Sequence, residues 1–289
     1  MPGEQSMTTS VPTHVPAAAG PPPIQATVHA ETTGVAPARL RQPFPADLFP
    51  YEAVSAWRPW PALGIVVLIM AGSLVAAFGG GVLLLAVWFE AAGISKNAKL
   101  MLFMLAAQIL MIAGTLLAAR AKGGRLATVL ALKPPVGGFW SYVATLLIML
   151  ATVVVYTVVA SYAFSHDPSQ DMADMADIFR GPWWPLALVV IGAGAPLSEE
   201  LMFRGFLQTA LVRSPLGYWG ATVVTTSIWT ALHAGYSLIG IGEVFLIGLV
   251  FAVFLRRTGS LRVTLVCHAI YNSALALLII FGPKDLLGP

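Results

Sequence analysis

The stretch PLSEELMFR, residues 196–204, places three ionisable side chains inside a run that is otherwise uncharged from residue 183 to residue 211. A charge near the centre of a bilayer costs at least about 2.5–3.5 kcal/mol on insertion scales, so such a cluster indicates a functional site. In a helix, Glu200 and Arg204 stand at i and i+4, on one face and within ion-pair reach. Glu199 is rotated about 100° from Glu200 and points elsewhere. We therefore predict that one carboxylate is held by the arginine and the other is available for chemistry.

The composition is that of a membrane protein. Of 289 residues, 57% are hydrophobic and 10% are charged, and the mean hydropathy is +0.80. These values exclude an ordinary soluble globular protein. The single cysteine, Cys267, excludes an intramolecular disulfide framework and a multi-cysteine metal site. The basic residues are scattered at the ends of apolar segments, so no nucleic-acid partner is expected.

The sequence divides into a tail and a membrane domain. Residues 1–56 are rich in Pro, Ala and Thr and have few large apolar side chains before Phe44. Such a segment buries too little surface to offset its ordering entropy, so we predict a disordered tail. His14 and His29 lie in this tail and are expected to be solvated. Residues 57–289 form the predicted multi-spanning membrane domain.

Seven apolar segments recur in the membrane domain. A membrane-spanning helix needs about 20 apolar residues, with a range of roughly 17–25. The segments lie at about 61–89, 98–119, 139–164, 183–212, 217–234, 240–256 and 261–281. Because backbone groups in lipid must be hydrogen-bonded internally, all of them are predicted to be helices. The predicted fold is an all-α bundle of about seven transmembrane helices, or eight if a long segment is two.

The charges between the segments set the predicted orientation. The loops after the second and the sixth segments are basic, and the loop between the third and the fourth is acidic. The basic residues are Arg120, Lys122, Arg125, Lys133, Arg256, Arg257 and Arg262, and the acidic residues are Asp167, Asp171, Asp174 and Asp177. Seven alternating spans put both basic loops on one side, and Lys and Arg are enriched in cytoplasmic loops. We therefore predict a cytoplasmic N-terminus. An eighth span would place the two basic loops on opposite sides, and the loop charges would then no longer agree with the topology.

Two further segments carry histidines. The fifth contains Trp229 and His233 at i and i+4, and the seventh contains His268 and Asn272 at the same spacing. Residues at this spacing share a helix face, and buried polar groups need partners. We therefore expect these groups to meet one carboxylate in a polar cavity formed by the fourth, fifth and seventh helices. The predicted cavity residues are Glu199, His233, His268 and Asn272.

Two of these groups are predicted at different depths in the membrane. With seven alternating spans, His233 lies near the far end of its helix, whereas His268 lies a turn or two inside the opposite face. The two histidines can therefore share a site only if at least one of these helices is broken or kinked within the membrane. The Gly-rich stretch 235–242 can break the chain within the membrane, and Pro196 can kink the fourth helix and free backbone carbonyls.

The side chains of this cavity fit two kinds of hydrolytic site. A carboxylate in low dielectric is suited to act as a general base toward water, with a histidine to orient the water. A second histidine and a carboxamide can donate hydrogen bonds to an oxyanion. Alternatively, two His and one Glu form a known catalytic zinc set, so Glu199, His233 and His268 are candidate ligands of a divalent metal such as Zn. The residues alone do not distinguish a metal-free glutamate site from a metal-dependent site.

The motifs together resemble the CPBP family, the CAAX prenyl-protease-related and bacteriocin-processing intramembrane proteases. They are Glu-Glu-x-x-x-Arg, an aromatic residue followed four positions later by His, and His-x-x-x-Asn, in this order on separate apolar segments. The resemblance extends from residue 196 to residue 272, within a protease-like core at about 183–281. It includes the connector RTGSL at 257–261. Trp229 departs from the pattern, in which phenylalanine is usual.

The resemblance implies an intramembrane endopeptidase that hydrolyses a peptide bond in a membrane-associated protein or peptide. Glu199 would activate the water with the assistance of His233. His268 and Asn272 would stabilise the oxyanion, and the ion pair of the fourth helix would hold the site in shape. Both a metal-dependent and a metal-independent glutamate mechanism are associated with the family. The resemblance favours a multi-pass protein of a bacterial plasma membrane.

Two other interpretations stay open. In the first, the chain is a non-proteolytic membrane scaffold or bacteriocin-immunity protein that keeps the polar cluster as a structural network. In the second, a buried glutamate relays protons in a carrier, although the sequence has no inverted repeat that would favour it. Replacing Glu199 separates a scaffold from a protease, because only the protease depends on this carboxylate for turnover.

Overall fold

A computed structural model describes residues 49–80, 89, 92–167 and 169–283. These residues lie within one compact unit, residues 40–289. All of their regular structure is helical, as predicted. The helices follow one another as α1 (Pro59–Leu74, continued as a π-helix at Val75–Gly80), α2 (Lys96–Ala121), α3 (Leu126–Val129), α4 (Phe139–Phe164), α5 (Ser169–Phe179), α6 (Trp184–Leu211), α7 (Gly217–Ala231), α8 (Leu238–Thr258) and α9 (Leu261–Phe281).

Six helices of the described ranges are long and apolar enough to cross a membrane, namely α1, α2, α4, α6, α8 and α9. The protein is therefore a multi-pass membrane protein. The predicted count of seven or eight spans is not confirmed, because α7 has 15 residues and a span needs at least about 17. The segment predicted at 217–234 stops being helical after Ala231, and the chain is non-helical at 232–237 before α8 begins.

The segment before α1 is ordered from residue 49 onward. The predicted tail, residues 1–56, lies outside the described residues as far as residue 48. Tyr51 is only 4% exposed and its hydroxyl group is 2.8 Å from Thr209 Oγ1. Phe49 lies against the Arg256 guanidinium, with 4.1 Å between Cζ and the ring centroid. Phe49 and Tyr51 therefore contact the membrane domain from within the predicted tail, and the boundary at residue 56 stays a prediction.

The two basic loops meet at one end of the helices, as predicted. Arg262 Nε donates to the Leu132 carbonyl at 2.8 Å, which joins the start of α9 to the loop after α3. The RTGSL connector makes this contact possible. Gly259 has a φ of 66° and ends α8 in the left-handed region, where glycine is unstrained. Ser260 Oγ then caps α9 by accepting from the backbone amide two residues later.

The acidic loop lies at the other end. Asp171, on α5, accepts a hydrogen bond from the Ser237 amide at 2.6 Å and a second from the Ser237 hydroxyl at 2.8 Å. Ser237 caps the start of α8. Because α7 starts near the basic end and leads to Ser237, this short helix returns the chain to the acidic end.

Candidate active site

A cavity of about 690 Å³ lies among the helices, and polar side chains from the three predicted motifs line it. The wall includes Glu199, His233, His268 and Asn272. It is built from more than the fourth, fifth and seventh predicted helices, because α2, α4, α5 and α8 also contribute. The structure thus brings together the four residues that the sequence singled out for chemistry.

The ion pair expected on α6 is present and buried. Arg204 Nη1 donates to Glu200 Oε1 at 2.9 Å, and the side chains are 1% and 0% exposed. His268 Nδ1 lies 3.2 Å from the same oxygen. A buried charge without a partner is strongly destabilising, so these three groups form one interdependent cluster. Glu200 is committed to this cluster and not to the cavity.

α6 is irregular where the two glutamates lie. π-helical stretches at Leu188–Gly194 and Glu200–Leu207 flank an α-helical turn at Ala195–Glu199. Glu199 therefore ends one kind of turn and Glu200 begins the other. π-helical turns are rare and occur frequently at functional sites. The boundary between the two kinds of turn therefore falls between the two adjacent carboxylates.

Pro196 leaves the Ile191 carbonyl without a backbone donor, and the Asn272 side chain donates a hydrogen bond to it. In the first π-helical stretch the Ala195 amide donates to the Val190 carbonyl, five residues back. The next residue is proline and has no N–H, so the Ile191 carbonyl lacks its donor in this register. Asn272 Nδ2 donates to that carbonyl at 3.1 Å. The carboxamide is thereby fixed at the cavity wall with its second N–H remaining.

Glu199 accepts a hydrogen bond that the sequence analysis did not anticipate. Trp229 Nε1 donates to Glu199 Oε2 at 2.6 Å. The motif treats residue 229 only as an aromatic residue. The indole N–H, which distinguishes tryptophan from phenylalanine, is the signal in the sequence that indicates this bond.

Trp229 also contacts both histidines. Its ring centroid lies 5.2 Å from that of His233 and 5.7 Å from that of His268, with both rings edge-on. Both histidines line the same cavity. This is possible because α7 ends early and His233 lies in the break at 232–237.

The hydrogen bonds of the histidines define which ring nitrogens remain for chemistry. His233 Nδ1 is 3.2 Å from the Trp229 carbonyl, and His268 Nδ1 faces the Glu200 carboxylate. A carbonyl and a carboxylate accept hydrogen bonds, so each Nδ1 carries the proton. In the neutral rings Nε2 is then an acceptor. His268 can donate from Nε2 only when that nitrogen also carries a proton.

The comparisons with known proteins cover this same part of the chain. Residues 181–274 match the family described as type II CAAX prenyl endopeptidase Rce1-like. The resemblance to CAAX-type proteases is confirmed for this segment. The Rce1-like segment contains the two glutamates, the arginine, both histidines and the asparagine, and the match supports a membrane protease.

A curated relative is similar over a shorter stretch. An Escherichia coli protein described as an uncharacterized 24.3 kDa protein is 33% identical over 85 residues, which are 29% of this chain and 39% of the relative. The chain thus spans less than half of that relative's length. No solved structure matches the chain.

The candidate metal ligands Glu199, His233 and His268 line one cavity. Across the described residues, no group of three or more His, Cys, Asp and Glu side chains is placed to hold a metal ion. Each histidine holds a carbonyl or a carboxylate with Nδ1, which is also the usual arrangement of a metal-binding histidine and leaves Nε2 available. Metal ligation by these residues stays a prediction, and no chemical step is assigned to a metal.

A second polar region lines the cavity beyond the predicted residues. Glu243, on α8, accepts a hydrogen bond from Thr157 Oγ1 on α4 at 3.0 Å. The amphipathic helix α5 adds apolar side chains, among them Met172 and Met175, and the Asp171 carboxylate ties this helix to the start of α8. The cavity therefore combines a polar end with a methionine-rich wall.

Proposed function

We propose that the protein is an intramembrane endopeptidase in which Glu199 activates water for attack on a peptide bond. The proposal rests on the different environments of two adjacent glutamates, one in a buried ion pair and the other at the cavity wall. Glu200 is fully buried and paired with Arg204 and His268. Glu199 lines the cavity, and its Oε2 is held by Trp229. Among the described residues no hydrogen bond engages its Oε1, which leaves that oxygen for water.

The proposed reaction uses only side chains of the Rce1-like segment. Glu199 removes a proton from water, and the hydroxide adds to the carbonyl carbon of the peptide bond. His233 Nε2 accepts a hydrogen bond from the same water and orients it. The second N–H of Asn272 donates to the oxyanion, and His268 does so when its Nε2 carries a proton. Glu199 then returns the proton to the leaving nitrogen as the C–N bond breaks, which yields a carboxylic acid and an amine.

The proposed substrate is a membrane-associated protein or peptide. Ligand cavities are mostly apolar with a few placed polar groups, and this one pairs a methionine-rich wall with the polar residues above. We place the protein in a bacterial plasma membrane with its N-terminus in the cytoplasm, on the charge pattern of the loops.

The proposed function is tested by replacing the base. Wild type and Glu199→Gln are expressed at equal levels in matched membranes, and new protein chain ends are compared by mass spectrometry. The amide keeps the size of the carboxylate but cannot take a proton, so we expect wild-type chain ends to fall by about 100-fold or more. Asp177→Asn, an exposed carboxylate on α5, is the matched control and should retain them.

Two further arms separate the alternatives. Identical chain ends from wild type and Glu199→Gln in the native host would favour the scaffold or immunity interpretation and reject the protease. A chelator added to active membranes should leave the chain ends unchanged. Loss of cleavage that added Zn²⁺ restores would contradict the metal-free step proposed for Glu199.

A further inference from the structure

Trp229 is the residue that contacts the proposed base directly. We infer that Trp229 is a positioning residue for Glu199, whose indole N–H fixes the carboxylate so that one oxygen faces the water. This inference rests on the proposed function. It adds a residue that the motif recognises only as aromatic, and it assigns the role to the N–H and not to the ring.

The bond itself has the geometry of a strong hydrogen bond. Its length of 2.6 Å is slightly shorter than the usual range of about 2.7–3.2 Å for an N–H donor and an oxygen acceptor. Trp229 is 2% exposed, so little water competes for its N–H. If the carboxylate turned away, the indole N–H would be left without a hydrogen-bond acceptor, because water could not replace the lost partner.

The indole is in turn held by its neighbours. The Arg204 guanidinium carbon lies 4.0 Å from the ring centroid, in a cation–π arrangement. The rings of His233 and His268 pack edge-on. Gly248 on α8 permits this packing, since a Cβ there would lie 3.1 Å from Trp229 Cζ3 and 3.0 Å from Arg204 Nη2. The direction of the N–H is therefore fixed by contacts on several sides.

Fixing the carboxylate matters because a glutamate side chain has rotational freedom. With Oε2 on the indole, Oε1 is presented to the cavity in one orientation. A reacting group misplaced by about 1 Å can cost on the order of 100-fold in rate. A phenylalanine at 229 would keep the aromatic contacts but would leave the carboxylate to rotate. The inference therefore predicts a loss in the catalytic step without a comparable loss of substrate binding.

A first experiment tests the bond without any substrate. The protein has eight tryptophans, and their indole ¹H–¹⁵N signals are recorded for the full chain in detergent. The Trp229 signal is identified by its disappearance in Trp229→Phe. Glu199→Ala should move this signal to lower proton frequency, whereas Glu243→Gln, on the same cavity wall, should not. A Trp229 signal unaffected by Glu199→Ala would overturn the inference.

A second experiment tests the consequence for catalysis. The probe is a peptide spanning the cleavage position found by the chain-end comparison. Trp229→Phe should lower kcat by about 10–100-fold with KM nearly unchanged, and in the Glu199→Gln background it should cause no further loss. Replacing Trp229 with 3-benzothienylalanine, which keeps the ring size but lacks the N–H, should be as slow as Trp229→Phe.

The outcomes are distinguishable. Wild-type rates for the benzothienyl variant would show that only the ring matters and would overturn the positioning role. A higher KM with unchanged kcat would overturn it as well. Identical chain ends from wild type and Glu199→Gln would instead reject the proposed function, and the positioning role with it, whatever the indole signal shows.

Discussion

Glu200 and Arg204 are both shielded from water, and each is the partner of the other. Removing one partner of a buried pair typically costs about 3–5 kcal/mol, because the remaining charge is left unpaired. We expect Glu200→Ala to lower the free energy of unfolding by about this amount, measured by thermal or denaturant unfolding in detergent. Glu199→Ala leaves the ion pair intact, so it should lower the free energy of unfolding by clearly less.

This loss of stability is caused by the buried charge that is left unpaired, and not by the loss of the attraction between the two side chains. A double variant, Glu200→Leu with Arg204→Met, removes both charges and should be more stable than Glu200→Ala. A Glu200→Ala protein as stable as wild type would contradict a buried, paired carboxylate at this position.

At the residue scale the sequence predicted which side chains meet but not how they bond. Spacing alone put Glu200 and Arg204 together, because i and i+4 is a local relation within one helix. The bond from Trp229 to Glu199 joins residues 30 positions apart. Its existence depends on the rotation of α7 against α6, which no local pattern contains.

At the scale of elements, α6 is shaped by its proline. Pro196→Ala would restore an N–H that competes with Asn272 for the Ile191 carbonyl. We expect this variant to lose activity several-fold while its thermal unfolding temperature stays equal or rises, since proline inside a helix is unfavourable. Activity on the cleaved peptide and unfolding in detergent are the two measurements.

The control for this variant is Pro185→Ala, which lies in the first turn of α6, where proline is tolerated. It should leave both activity and unfolding near wild type. Full activity in Pro196→Ala would contradict the claim that the freed carbonyl positions the carboxamide.

The elements themselves were predicted unevenly. Six apolar segments correspond to helices long enough to span, because hydropathy over such a length is a strong signal. The end of α7 was predicted too late, since Leu232 and Ala234 continue the apolar composition while the backbone already turns. The π-helical stretches were not predicted, because the residues of Glu200–Leu207 are equally compatible with an α-helix.

At the scale of the whole described unit, the contact between the two basic loops predicts a common side. Three single-cysteine variants in a Cys267→Ala background report on it: Arg125→Cys, Arg257→Cys and Asp177→Cys, all at exposed positions. With a membrane-impermeant maleimide on intact bacterial cells, only Asp177→Cys should react. The two basic-loop variants should react after permeabilisation.

The opposite labelling pattern would reverse the proposed orientation but keep the common side. Labelling of only one basic-loop variant in intact cells would contradict the common side itself. The loop charges were sufficient to predict this arrangement, since they depend on counting residues and not on packing. The order found at Tyr51 could not be predicted in the same way, because its partner Thr209 is distant in the chain.

The short helix α7 has a consequence for the lipid around it. Fifteen residues rise about 22 Å at 1.5 Å each, less than the roughly 30 Å of a bilayer's hydrocarbon core. Trp219 and Val223 are 49% and 50% exposed, so part of this helix faces outward. Hydrophobic mismatch of this kind is relieved by local thinning of the bilayer. We therefore expect headgroups and their hydration water to dip toward the cavity beside α7, which would shorten the path that water travels to reach Glu199.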